Sequence, residues 1–202
     1  MEEVALPGGV RTREAAPQAA MLIESMRDID YSLETALADI IDNSITAAAS
    51  SIRLLVDTTS AEPSLAILDN GIGMTEDELL AAMRPGSRNP LETRDKEDLG
   101  RFGLGLKTAS FSQCRKLTVA SRKNGATCCA RWNLDEVART NKWLVEFFDD
   151  FSQVPWIEEL GTSGTLVIWE TLDRLVEGGG DDARSAFVAR ISVAVPRQAA
   201  QT

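Results

Sequence analysis

Histidine is absent from the 202-residue sequence. Its absence excludes histidine-based catalytic triads and proton shuttles, and it leaves a transition-metal site short of ligands. The cysteines number three, and Cys128 and Cys129 are adjacent, so a disulfide framework is not expected. A hard cation such as Mg²⁺ remains possible, because oxygen ligands hold it.

Long hydrophobic runs are also lacking. No stretch approaches the length of a membrane span, and residues 1–18 lack the apolar segment of a signal peptide, so we expect a cytoplasmic protein without a membrane contact. The net charge of −10 argues against direct binding of nucleic acid by this chain. The hydrophobic fraction of 44% is that of an ordinary globular protein, and the length suffices for one sizeable core.

The spacing of apolar residues divides the chain into a leader and one domain. Pro7, Gly8 and Gly9 interrupt residues 1–15, which we expect to form a flexible leader. Residues 16–202 are interpreted as a single domain. Helices are predicted over 16–29, 32–49, 75–83, 104–113 and from 181, and strands over 51–57, 65–68, 115–121, 127–133, 143–148 and 164–169.

The second predicted helix, which begins after Ser32, carries an unusual polar stripe. At about 100° per residue, one broad face is apolar, and it comprises Leu33, Leu37, Ile40, Ile41, Ile45 and Ala48. The opposite stripe comprises Asp39, Asp42, Asn43 and Thr46. A solvated face is the ordinary interpretation of such a stripe. Short aspartate and asparagine are poor helix formers, however, so the stripe is a candidate for binding chemistry.

A carboxylate follows the continuously apolar segment at residues 65–68. Asp69 begins the sequence Asp-Asn-Gly-Ile-Gly-Met, which ends at Met74. An acid at the end of a buried strand, followed by glycines, is well placed to present its carboxylate in a crevice. A plain turn is the alternative, since Asp-Asn-Gly is also a common turn sequence.

A glycine-rich segment runs from Gly100 to Thr108 and includes Lys107. Glycines admit close approach of the backbone, and a loop that enters a helix offers free N–H groups to phosphate. The segment fits neither the dinucleotide-binding pattern nor the P-loop pattern, and a glycine turn without a ligand is the alternative. The charged residues 84–99 before it are interpreted as a mobile lid, with a solvated loop as the alternative.

Together with Gly164 and Thr165, these motifs resemble, in order and spacing, the ATP-binding domain of the GHKL superfamily. This superfamily includes DNA gyrase, an ATP-driven heat-shock chaperone, histidine kinases, MutL proteins and MORC-type ATPases. The resemblance covers about residues 20–175. Residues 36–47 stand at its N box, and residues 69–74, 100–107 and 164–165 at its three glycine boxes. It implies the Bergerat fold, an α/β sandwich with a mixed, mostly antiparallel sheet covered on one face by helices.

The same resemblance implies the ligands ATP and Mg²⁺ and a role for each motif. Asn43 would hold Mg²⁺ against the phosphates, and Asp69 would accept the adenine amino group. The glycine loop would bind the phosphates, with Lys107 neutralising them. The nucleotide-contacting residues implied are Asn43, Ala47, Asp69, Gly71, Gly73, Met74, Gly100, Arg101, Phe102, Gly103, Leu104, Gly105, Leu106, Lys107 and Thr165.

The chain departs from the family pattern at Asp39, where hydrolytic members carry a glutamate as general base. Aspartate is one methylene shorter, and a misplacement of about 1 Å can cost on the order of 100-fold in rate. Asp42 is a neighbouring alternative, but it points about 60° away from Asp39. We therefore expect slow hydrolysis based on Asp39. The alternatives are a regulatory module that binds ATP or ADP without hydrolysis and, less favoured, a histidine-kinase-like catalytic domain.

The resemblance also bears on organisation and partners. Such domains are usually N-terminal nucleotide switches that dimerise around ATP. We expect a switch domain of a larger protein, with further domains or a partner protein beyond residue 202, and an ATP-dependent homodimer is a possible assembly.

Overall fold

The computed structural model describes residues 3–6, 10–13, 15–29, 31–60, 62–86, 105–175, 185, 187–189 and 191. The strands are β1 (Glu3–Leu6), β2 (Val10–Arg13), β3 (Ile52–Asp57), β4 (Ser64–Asp69), β5 (Lys116–Lys123), β6 (Ala126–Asn133), β7 (Glu146–Phe147) and β8 (Gly164–Glu170). The helices are α1 (Ala19–Arg27), α2 (Leu33–Thr46), α3 (Glu76–Met83), α4 (Gly105–Gln113) and α5 (Leu134–Thr140), with a 3₁₀ turn at Ile157–Glu159.

The main sheet has six strands in the order β3-β4-β8-β5-β6-β7, and each neighbouring pair is antiparallel. Strand β8, late in the chain, lies between β4 and β5. This insertion brings the start of β8 beside the end of β4, with Thr165 paired to Asp69. The predicted α/β sandwich with a mostly antiparallel sheet is confirmed.

Alternation along the strands divides the buried residues into two layers. Leu65 and Ile67 of β4 belong to the larger cluster, which also contains buried residues of each of the helices α1 to α5. Ala66 and Leu68 belong to a smaller cluster with Val154, which lies in the segment before the 3₁₀ turn. The helices therefore pack on one face of the sheet, as expected, and irregular chain packs on part of the other face.

Local signals at the element ends agree with the sequence. The Ser32 hydroxyl accepts a hydrogen bond from the Thr35 N–H and caps α2. Thr75 and Glu78 form a reciprocal capping box at α3. Asn124 and Gly125, both with positive φ, make the turn between β5 and β6. These elements were correctly predicted because their signals are local.

Other parts differ from the sequence-based expectation. The segment interpreted as a leader contains the antiparallel hairpin β1–β2, and the domain boundary at residue 16 stays a prediction. The strand predicted over 143–148 is reduced to Glu146–Phe147, and helix α5 was not predicted. Helix α5 is short, and it is capped by the Asn133 side chain, which still belongs to β6. A seven-residue helix shows too few turns for periodicity to reveal it.

Candidate functional site

The site is built where the C-terminal half of α2, the end of β4 and the start of β8 meet. Asp69 is the centre of this junction, and this residue is only 6% exposed. Oδ1 accepts hydrogen bonds from the N–H groups of Gly71 at 2.9 Å and Thr165 at 3.1 Å. Oδ2 accepts one from the Ser44 hydroxyl at 2.9 Å. Three donors from three separate segments thus fix one carboxylate.

The environment of Asp69 has opposing effects on the pKa of its carboxyl group. Burial raises the pKa of the Asp69 carboxyl, while hydrogen bonds from Gly71, Ser44 and Thr165 oppose that rise. Oδ1 already accepts two N–H groups, whereas Oδ2 accepts a single hydroxyl. Oδ2 is therefore the oxygen with capacity for a donor from a ligand.

The buried side of α2 differs from the predicted one, because it includes Ser44. The apolar face was expected to include Ile41, Ile45 and Ala48, but Ile45 is 44% exposed and Ala48 is exposed as well. The buried positions are Leu33, Ala36, Leu37, Ile40 and Ser44. Ser44 is small and polar, and its hydroxyl reaches Asp69 at the end of β4. The buried stripe is consequently rotated toward Asp69.

The end of α2 also contacts the first glycine box directly. The Ala47 carbonyl accepts a hydrogen bond from the Ile72 N–H at 3.0 Å. A Cβ on Gly71 would lie 2.7 Å from that same carbonyl oxygen. A side chain at this position would therefore separate the helix from the box. The predicted residues Ala47 and Gly71 lie against each other in the structure.

Ser121 of β5 contacts both the first glycine box and the start of β8. This residue was not identified from the sequence. Its hydroxyl donates to the Gly164 carbonyl at 2.9 Å and accepts from the Met74 N–H at 2.8 Å. It also lies 3.1 Å from the Thr165 hydroxyl. One buried serine thus links the first glycine box to the start of β8. No short motif surrounds it, and only the β5–β8 register places it here.

Gly73 permits the closest backbone approach at the site. Its φ is +67°, and a Cβ there would lie 2.0 Å from the Arg122 carbonyl oxygen. Gly125 in the β5–β6 turn also has a positive φ, +80°, but nothing lies within 4 Å of its Cβ position. Both glycines therefore adopt a backbone conformation that disfavours a side chain, but only at Gly73 would a side chain also clash with neighbouring atoms.

We expect Gly73→Ala to lower the free energy of unfolding by about 2–4 kcal/mol, because strain at positive φ adds to a backbone clash. The matched variant Gly125→Ala should lose only about 1 kcal/mol, since it meets the conformational penalty alone. Urea denaturation of the two variants beside the wild-type protein measures both values. Equal losses would mean that the Arg122 carbonyl moves aside without cost.

The polar stripe of α2 lies beside the beginning of α4. Asp39 Oδ2 is 3.6 Å from the position of a Cβ on Gly105, the first residue of α4. Asn43 is exposed one helical turn further along α2. Partial desolvation and the neighbouring Asp39 carboxylate raise the pKa of Asp42. Asp39 of the polar stripe and Gly105, the last glycine of the loop, are thus close neighbours in the structure.

The second glycine box is described only from Gly105 onward. The predicted residues Gly100, Arg101, Phe102, Gly103 and Leu104 lie outside the described residues, as does the lid from residue 87 to residue 99. Leu106 packs against the larger core cluster. Lys107 is 2% exposed, and its ammonium group donates to the Ala82 carbonyl in α3 at 2.8 Å. Its predicted role at the phosphates stays a prediction.

The donor set is compatible with Mg²⁺ held through few protein ligands. Within the described ranges, no group of three or more histidine, cysteine, aspartate and glutamate side chains is arranged to hold a metal ion. Mg²⁺ usually keeps several waters and binds one or two protein oxygens together with substrate phosphates. The exposed amide of Asn43 can supply one such oxygen.

The fold, an antiparallel six-stranded sheet with helices on one face, is that of an α/β-sandwich ATPase. Residues 31–161 match the family model described as histidine kinase-, DNA gyrase B- and HSP90-like ATPase. The match covers more than half of the chain, and the chain belongs to this family. In the part of the chain that the structure describes, no helix is long and apolar enough to cross a membrane.

Among curated proteins, the chain is similar to bacterial proteins named chaperone protein HtpG. It is 27% identical over 156 residues to the protein of Mycobacterium tuberculosis, covering 71% of this chain and 20% of that protein. It is 31% identical over 126 residues to the protein of Hydrogenovibrio crunogenus, covering 56% of this chain and 18% of that protein. The chain spans about a fifth of the length of these relatives.

Proposed function

We propose that the chain is an ATP-binding module that holds ATP with Mg²⁺ and hydrolyses it slowly, with Asp39 as the general base. The observation that carries this proposal is the buried Asp69 carboxylate, which three donors orient and whose Oδ2 can accept one further hydrogen bond. An exocyclic adenine amine is a donor of the required kind. Membership in an ATPase family supports the same assignment.

The adenine and the phosphates would lie at opposite ends of one cleft. The base would lie at Asp69, with the backbone of Gly73 and the hydroxyl of Thr165 close by. The phosphates would extend toward the start of α4, where backbone N–H groups at a helix N-terminus favour anions. Asn43 lies between Ser44, which contacts Asp69, and the Asp39 region, so it can supply an oxygen to Mg²⁺ beside the phosphates.

Hydrolysis would use residues of α2 and α4. Asp39 would accept the proton of the attacking water, since its carboxylate lies beside Gly105 at the start of α4. Lys107 would neutralise phosphate charge only after its ammonium group leaves the Ala82 carbonyl. We infer that this exchange accompanies nucleotide binding. Bound Mg²⁺ would stabilise the charge that develops on the phosphates.

A second candidate is a module that binds nucleotide without hydrolysis. The shorter side chain at Asp39 favours it, because a general base must reach its water closely. Phosphate release over a long incubation separates the candidates, because only the ATPase produces phosphate in proportion to protein concentration.

The proposed function predicts Mg²⁺-dependent ATP binding. Calorimetric titration with ATP and Mg²⁺ should show one site, and chelation of Mg²⁺ with EDTA should weaken binding by about tenfold or more, because the phosphates lose the cation that would neutralise them. AMP should bind more weakly than ATP, since it lacks the distal phosphates. Absence of heat and of any thermal-shift response with ATP and Mg²⁺ would contradict the proposal.

We further propose that the module acts as a nucleotide switch within a larger protein and dimerises when ATP is bound. The similarity to HtpG chaperones over a fifth of their length supports a module embedded in a longer chain. Light scattering with and without a non-hydrolysable ATP analogue tests dimerisation. An unchanged monomer mass would remove this part of the proposal and leave ATP binding untouched.

A further inference from the structure

Tyr31, the only tyrosine in the chain, contacts the proposed general base. It lies just before α2, and its phenolic hydroxyl donates to Asp39 Oδ2 at 3.0 Å. The same Oδ2 lies 3.6 Å from the position of a Cβ on Gly105. The oxygen that accepts the phenol is therefore confined between Tyr31 and the start of α4.

The backbone of Tyr31 is fixed from two directions. The buried Gln113 at the end of α4 donates from its side-chain amide to the Tyr31 carbonyl at 2.9 Å. The Tyr31 N–H donates to the Ile29 carbonyl at 2.8 Å. The ring packs against the larger core cluster. The phenol is consequently presented to Asp39 from an anchored position.

The phenol is suited to act as a permanent donor. The pKa of Tyr31 is raised above its ordinary value, mainly because the phenol is partly desolvated. The hydrogen bond to Asp39 and the charge interaction with Asp39 raise this pKa further. Tyr31 therefore remains protonated at neutral pH. A hydrogen bond to an ionised acceptor is also among the stronger kinds, so it restrains the carboxylate effectively.

We propose that Tyr31 is a positioning residue for hydrolysis: its phenol fixes the plane of the Asp39 carboxylate and leaves Oδ1 to face the attacking water. The terminal torsion of aspartate is broad when unrestrained. A base that is one methylene short depends strongly on orientation, because a small misplacement costs a large factor in rate. This inference rests on the proposed function, in which Asp39 is the general base.

The contact itself can be tested without any turnover. Protein labelled with 3-fluorotyrosine carries a single fluorine site, because Tyr31 is the only tyrosine. We expect its ¹⁹F resonance to shift on Asp39→Asn, which removes the charge that the phenol faces. The matched variant Asp42→Asn, three residues along α2, should leave the resonance in place. A resonance that responds equally to both variants would overturn the contact.

The positioning role is tested by Tyr31→Phe, which keeps the ring and removes only the hydroxyl. We expect kcat to fall about tenfold, while KM for ATP and the melting temperature change little. A purely structural role would instead lower the melting temperature without a selective loss of kcat. An unchanged kcat in a folded variant would overturn the inference and leave the proposed ATPase function standing.

The two failures are distinguishable. Absence of phosphate release from the wild-type protein overturns the hydrolytic function, and the positioning role with it, even where the ¹⁹F result confirms the contact. Normal wild-type turnover combined with full turnover of Tyr31→Phe overturns the positioning role alone.

Discussion

Asp69→Asn is expected to reduce ATP affinity by on the order of 100-fold and to leave the fold intact. In the variant, the remaining Oδ1 can still accept the N–H groups of Gly71 and Thr165. The new amide NH₂ can donate to Ser44, whose hydroxyl can turn to accept it. The same NH₂ would face the adenine amine donor to donor. Loss of a hydrogen bond to a charged acceptor accounts for a factor of this size.

The measurement is a pair of calorimetric titrations, with ATP and with inosine triphosphate, whose base lacks the amino group. The wild-type protein should discriminate strongly between the two nucleotides, and Asp69→Asn should discriminate little. The melting temperature of the free variant serves as the control for folding. An equal loss of affinity for both nucleotides would show that Asp69 organises the site without a hydrogen bond to the adenine amino group.

Asp39→Asn is expected to lower the rate of phosphate release by about 100-fold or more while ATP affinity stays within a few-fold of wild type. The amide keeps the size of the side chain and can still accept the Tyr31 hydroxyl. It cannot take a proton from water, and general-base catalysis contributes a factor of about 10²–10⁴. Single-turnover phosphate release, beside a titration with ATP, separates chemistry from binding.

Asp42→Asn is the matched control for this experiment, because it removes a carboxylate three residues away on the same helix. Its carboxyl has a raised pKa owing to partial desolvation and to Asp39, so it is a chemically credible rival base. We expect it to retain most of the turnover. Loss of turnover in Asp42→Asn together with normal turnover in Asp39→Asn would transfer the base role to Asp42.

The position of β8 explains how a site with widely separated parts can be rigid. Thr165 lies 96 residues after Asp69, yet the two are paired neighbours in the sheet and share a hydrogen bond. Ser121 reaches the same junction from β5, on the other side of β8. Since all three positions lie on adjacent strands, the geometry of the sheet fixes the proposed adenine site before any ligand arrives.

The proposed phosphate site has fewer fixed contacts among the described residues. Asp39 and Asn43 lie on a helix that packs through Leu37 and Ile40, so their backbone positions are well defined. Lys107, in contrast, is held by the Ala82 carbonyl. We expect the proposed adenine site to be preformed and the proposed phosphate site to rearrange on binding.

The sequence by itself determined the local features of this protein. The Ser32 and Thr75 caps, the Asn124–Gly125 turn and the acid at the end of β4 depend on neighbouring residues, so their patterns are readable along the chain. The order of the motifs also indicated the family. The α/β sandwich followed from the family rather than from the strand patterns, because alternation does not specify which strands become neighbours.

Only the tertiary structure decided which side of α2 is buried and which distant side chains complete the site. Periodicity fixes the relative phase of side chains on a helix, but the direction in which that helix faces depends on its packing partners. The burial of Ser44 against Asp69, the link through Ser121 and the contact of Tyr31 with Asp39 all follow from that packing. The two serine contacts join residues of different elements, and the Tyr31 contact joins the segment before α2 to that helix, so each became visible only in the assembled structure.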